Sequence, residues 1–196
     1  MKFTQTALAG VWILDPERRE DDRGFFARTW CRREFETHGL DPALVQCNIS
    51  HNRRAGTVRG MHFQTEPFPE IKLVRCSRGA ILDCVIDLRL ESPTHGQSLA
   101  VELTADNGRA LYIPGGFAHG FQTLVDDTDV FYQMSEFFHP DCAAGVRWND
   151  PAFNIRWPLP ITCIAAKDEQ FPDYLPQFVG QAVPDPRSTP ALTTPR

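Results

Sequence analysis

Apolar and polar residues alternate with a period of two through the middle of the chain. In GAILDCVIDLR (79–89), Ala80, Leu82, Cys84, Ile86 and Leu88 fall on one face and Ile81, Asp83, Val85 and Asp87 on the other. That is the pattern of a strand, whose successive side chains point to opposite faces. SLAVELTA (98–105) and ALYIP (110–114) follow, with the turn signal DNGR between them. HGFQTLV and DVFYQMSEFF are parted by DDT, and KLVRC (72–76) precedes SRG. Short strands at roughly 8–12-residue spacing, each bounded by turn residues, predict a sandwich or barrel.

Helical periodicity is scarce. CRREFETHGL (31–40) predicts one short helix stopped by Gly39, and DEQFPDYLPQFV (168–179) a helical turn. ALAGVWIL reads as strand and loop rather than a targeting segment. No stretch approaches the ~20 apolar residues of a membrane helix. From Gly180 the chain runs GQAVPDPRSTPALTTPR, without apolar periodicity. This predicts one domain over residues 1–179 and a disordered tail over 180–196. A chain of 196 residues is long enough to bury about 70 % of its unfolded surface without staples.

Composition narrows the function classes. A formal net charge of -5 gives no global pull toward nucleic acid or anionic membrane, while leaving room for a local basic cleft. The six cysteines include no C-x-x-C pair and no secretory signal precedes them. A cytoplasmic protein is expected, its thiols reduced and each buried as a small hydrophobe.

Two histidines lie in apolar-aromatic surroundings, His62 in RGMHFQ and His119 in PGGFAHGFQ. The P-x-G-x-x-H spacing of the second closes a cupin barrel motif. A metal-binding cupin also needs H-x-H in its first motif, and here that place reads His62-Phe63-Gln64. Two histidines make a poor catalytic metal site, since such sites usually take three protein ligands. A lone barrel histidine also serves as a core residue with satisfied hydrogen bonds. The cations near His62 shift the balance: Arg59, Lys72, Arg75 and Arg78 are costly on core-facing strands unless paired with an anion. Alternation puts Lys72, Val74 and Cys76 on one face and Arg75 on the other; Arg78 is read as a solvated cation at the rim. By spacing alone Tyr132 reads as a core tyrosine and Asp168 as a surface carboxylate or helix cap.

The stretches DDRGFFARTW, VQCNIS, GTVRGMHFQ, KLVRCSRGAILDCVIDLR, SPTHG, ALYIPGGFAHGFQTL, VFYQMSEFF, GVRWNDPAFNIRWP and AAKD resemble, in order and spacing, the dTDP-4-dehydrorhamnose 3,5-epimerases. The resemblance runs from about residue 10 to 175. It implies an all-β, metal-free cupin jelly roll that works as a homodimer on a nucleotide-linked 4-keto-6-deoxyhexose. The implied reaction inverts carbon 3, carbon 5 or both through an enolate, without a cofactor, in deoxysugar biosynthesis of the dTDP-rhamnose type. Within it His62 matches the catalytic base, Asp168 the carboxylate that orients it, Tyr132 the acid on the opposite face and Lys72 the cation at the ketone oxygen. Arg23, Phe26, Gln46, Asn48, Arg59, His119 and Lys167 match substrate contacts, and Asp83 matches an interior partner of His119. Arg28 and Ala143 stand where the best-known members carry glutamate. Those departures keep open a single-carbon epimerase on a GDP- or CDP-linked sugar. A metal-dependent cupin using His62 and His119 is the remaining alternative.

Overall fold

The computed structural model describes residues 1–175; the tail expected from Gly180 and the proposed boundary at 179 lie outside the described residues. The elements in chain order are β1 (Lys2–Gln5), β2 (Trp12–Asp15), β3 (Arg19–Asp21), β4 (Gly24–Phe26), α1 (Arg32–Thr37), β5 (Gln46–Asn52), β6 (Val58–Gln64), β7 (Lys72–Arg78), β8 (Ala80–Asp87), β9 (Ser98–Thr104), β10 (Ala110–Ile113), β11 (Phe117–Thr123), β12 (Thr128–Met134), β13 (Ala143–Gly145) and α2 (Ala166–Glu169).

Two antiparallel sheets carry the fold. One has the order β1-β2-β10-β7-β12-β5 and the other β13-β6-β11-β8-β9, while β3 and β4 form a separate hairpin. Sequence neighbours such as β7 and β8 lie in different sheets, which makes the sandwich a jelly roll rather than a meander.

Three apolar clusters follow from the alternation. Val74, Ile81, Val85, Leu103, Leu111, Phe121 and Val130 fill the space between the sheets. The other face of β8 is apolar too, because Cys84, Ile86 and Leu88 pack with Met61, Val146 and Phe153. The segment after β13 therefore covers the back of the second sheet, and β8 is apolar on both faces where a half-exposed strand would not be. On the back of the first sheet, Phe35 of α1 packs against Leu14, Leu73, Ala110 and Tyr112.

Three expectations are corrected. The predicted helix is confined to Arg32–Thr37, with Gly39 beyond it at φ 69°, a left-handed conformation that glycine adopts without Cβ strain. The helical turn near the end sits at Ala166–Glu169, upstream of most of 168–179; Pro172 follows three residues later and removes a helical N–H donor. Only Cys76 and Cys84 are buried, whereas Cys47 and Cys163 are exposed and Cys31 and Cys142 are half-buried. Cys47 lies on β5, the edge strand of its sheet, where its outward face has no covering layer.

Candidate active site

One end of the sandwich interior is polar. His62 on β6 and His119 on β11 are directly opposite each other across the strand pair. Lys72 on β7 and Tyr132 on β12 enter from the facing sheet. Regular alternation would place Arg59 and His62, three residues apart, on opposite faces. The β6–β11 register shifts between His119 and Phe121, and such an irregularity re-aims side chains. Both residues then face inward: Arg59 Nε donates to the Oδ1 of buried Asn52 on β5 at 2.7 Å. The shift requires close backbones. A Cβ on Gly60, at φ 117°, would lie 2.6 Å from the Cα of Gly120.

The central contact is 2.7 Å, from His62 Nε2 to Asp168 Oδ1. A carboxylate only accepts, so Nε2 carries the proton and Nδ1 keeps its lone pair. The second carboxylate oxygen accepts from the Gly60 amide at 3.1 Å. Asp168 is 2 % exposed, so the default reading of a surface carboxylate is wrong: α2 folds inward and presents it to β6. Burial pushes the His62 imidazole below its ordinary pKa; Asp168 draws it partway back, and Lys72 and Lys167 oppose that. Burial opposes ionisation of Asp168, but the bonds from His62 and Gly60, with Lys167 nearby, hold its carboxyl below the usual carboxylate range. At neutral pH the dyad is thus a neutral imidazole on an ionised carboxylate.

Lys72, 6 % exposed, donates from Nζ to the His62 carbonyl at 3.1 Å and pairs with Glu70 at 2.8 Å. Burial raises the Tyr132 phenol above its ordinary pKa, with Arg59 lowering it and Glu70 raising it; it is a protonated acid at neutral pH. His119 Nε2 donates to Asp83 Oδ1 at 2.7 Å, and Asp83 is fully buried. On β5, Asn48 is the register partner of Tyr132, and Gln46 that of Met134. Lys167 is exposed on α2 and close enough to act on the charge of both His62 and Asp168.

Arg23 and Phe26 are placed apart from this group. Both lie on the β3–β4 hairpin, where Arg23 pairs with Asp21 at 2.7 Å and Phe26 is 70 % exposed. Of the departures from the resembled pattern, Arg28 pairs with Glu34 at 2.9 Å on the protein surface. Ala143 pairs with Gln64 on the strand next to His62. Arg75 points away from the interior, donating to the Thr29 carbonyl, and Arg78 is at the rim. Among the described residues no cluster of three or more His, Cys, Asp or Glu is arranged to hold a metal.

Reading the sequence missed Glu70 and Phe171. Glu70 is two residues before Lys72, so alternation alone puts both on one face, and two opposite charges so placed were a legible signal. Phe171 meets the His62 ring edge-on at 6.1 Å between centroids, which no periodicity could show.

Comparison with known proteins agrees with this geometry. A family model described as dTDP-4-dehydrorhamnose 3,5-epimerase matches residues 5–175. An enzyme of that name from Sinorhizobium fredii is 41 % identical over 169 residues, covering 86 % of this chain and 87 % of its own. Another from Methanothermobacter thermautotrophicus is 44 % identical over 158 residues, covering 81 % and 84 %. The crystal structure of the Bacillus anthracis enzyme, 41 % identical, matches with a TM-score of 0.86 over 88 % of this chain and 99 % of that one. With the fold, the interior polar end and these relatives all in accord, the chain belongs to the dTDP-4-dehydrorhamnose 3,5-epimerase family.

Proposed function

We propose that this enzyme, a dTDP-sugar epimerase of deoxysugar biosynthesis, inverts the carbons on either side of the ketone of a dTDP-4-keto-6-deoxyhexose using His62 as base and Tyr132 as acid. The observation that carries the assignment is the buried Asp168–His62 bond of 2.7 Å, set across the interior from a protonated tyrosine. Nδ1 of His62 removes the proton from the carbon beside the ketone. Asp168 keeps the tautomer and stabilises the imidazolium that forms, as in hydrolase triads. A positioned base of this kind contributes roughly 10²–10⁴-fold in rate. The ammonium of Lys72 meets the oxygen on which enolate charge develops. Tyr132 then delivers a proton to the opposite face of the carbon, which inverts it. Each proton move uses a group that this chain supplies.

Arg59, Gln46, Asn48, His119 and Lys167 are assigned to the nucleotide and diphosphate, with Asp83 fixing His119. Support comes from the Bacillus anthracis structure, which has TDP and PPi bound. A double variant of a 3'-monoepimerase from Streptomyces bikiniensis, in complex with dTDP, alters a histidine and a tyrosine as far apart in sequence as His62 and Tyr132. Arg23 and Phe26, held outward within one copy, are assigned to the ligand across a homodimer. The described residues contain no helix long and apolar enough to cross a membrane, and a cytoplasmic location fits the substrate class.

A dTDP-4-dehydrorhamnose 3-epimerase of Streptomyces niveus, 36 % identical over 170 residues, makes the number of inversions worth reading directly. Incubation with dTDP-, CDP- and GDP-4-keto-6-deoxyhexose in deuterated water should give deuterium at carbons 3 and 5 of the dTDP sugar. His62→Asn should abolish exchange at both. Full exchange in that variant overturns the base assignment.

A further inference from the structure

Glu70 has no part in the proton transfers described above, yet its side chain is 9 % exposed and 2.8 Å from the ammonium that faces the ketone. Burying a carboxylate is costly unless its remaining lone pairs are satisfied. Among the described residues Lys72 is its one ion-pair partner, and its second oxygen, which no protein group bonds, is not sealed from solvent. Its charge is close enough to act on Tyr132, whose strand β12 pairs with the strand that carries Lys72. A positive donor and a negative acceptor are thus side by side, 2.8 Å apart.

A 4-keto hexose presents the complementary pair. Its carbon 4 bears an oxygen that accepts, and the adjacent carbon 3 bears a hydroxyl that donates. Carbon 5, on the other side of the ketone, carries no hydroxyl in a pyranose. We propose that Glu70 is a specificity-determining residue that accepts a hydrogen bond from the 3-hydroxyl of the keto sugar while Lys72 meets the ketone oxygen. The inference rests on the sugar-nucleotide reading above and adds the hydroxyl the site selects. A site built to bond a substrate hydroxyl strongly disfavours the analogue that lacks it, because its buried polar group is then left unpaired.

The test compares dTDP-4-keto-6-deoxyglucose with its 3-deoxy analogue, following deuterium uptake at carbon 5 in both. The readout is the ratio of kcat/KM for the two. Effects of Glu70 on Lys72 or on folding alter both substrates alike and cancel in that ratio, as in a double-mutant cycle. The wild type should prefer the hydroxylated sugar by about tenfold or more. Glu70→Ala should bring the ratio close to one. Glu70→Gln keeps the shape and a neutral acceptor, so its ratio should fall between the two; it also serves if Glu70→Ala leaves Lys72 unpaired and fails to fold. Equal ratios in wild type and Glu70→Gln, with normal turnover of the hydroxylated sugar, overturn the proposal and leave the epimerase reading intact. A wild type inert on every keto sugar overturns both.

Discussion

His62 takes its charge state from one carboxylate, two lysines and its burial. Asp168 holds one ring nitrogen, and burial with two nearby lysines keeps the ring neutral. The acid limb of kcat/KM should therefore lie below the ordinary histidine pKa of about 6.5, since the base is lost only when pH falls through the lowered value. Asp168→Asn removes a group that raises the His62 pKa, so the limb should move to still lower pH. The plateau should fall roughly 10²–10⁴-fold, because the imidazolium loses its partner and the tautomer its anchor. A pH–rate profile of both proteins checks this, and an unmoved limb would separate Asp168 from the base. Tyr132→Phe should divide the reaction: deuterium still enters beside the ketone while inverted product falls by at least tenfold, a magnitude typical of a lost general acid. Equal loss of exchange and inversion would assign Tyr132 to proton removal instead. The residue types were legible in the sequence, but the role of Asp168 came only with the family resemblance and not from its spacing. A short AAKDE turn looks like surface until its burial is seen.

At the scale of elements, the C-terminal segment acts as a strap over the second sheet. Tyr174 is tied twice: its hydroxyl to His95 Nε2 at 2.7 Å, and its amide to Asp150 Oδ2 at 2.6 Å. Phe171 lies between His62 and β13, where a Cβ on Gly145 would run into its ring. Gly145→Ala should therefore displace the strap and lower kcat by about tenfold through a misplaced Asp168, since small errors in position are costly to catalysis. Enzyme assays beside a thermal melt test it; a variant with unchanged kcat would show that the strap tolerates the shift. Of the strands beneath it, β8, β9 and β11 were readable as short runs between turn signals, while β13, three residues long, was not. The strap was not, since it docks by single aromatic contacts without a repeat.

For the whole molecule, the inter-sheet cluster supplies the rigidity on which the polar end depends. Leu103, fully buried in that cluster, reports on it. Leu103→Ala should cost about 2–5 kcal/mol, read as a melting temperature lowered by roughly 2–4 °C for each kcal/mol in a chain of this size. The nucleotide ligand should restore part of that loss, because it binds the folded state alone. A melt unchanged by Leu103→Ala would mean that the cluster repacks around the gap.

The sequence by itself determined the layers and the chemical repertoire. Period-two alternation is a local consequence of strand geometry, so β7, β8 and the face that Lys72 shares with Val74 and Cys76 could be read from the residues alone, and the family motifs named the groups. Beyond the pairings that the resemblance implied, only the tertiary structure decided how the groups meet. The register shift beside Gly60 turns Arg59 and His62 to one face, and a four-residue helix at the far end of the chain places Asp168 against β6. Both depend on backbone approaches between segments far apart in sequence, and such contacts leave no periodic signal along the chain.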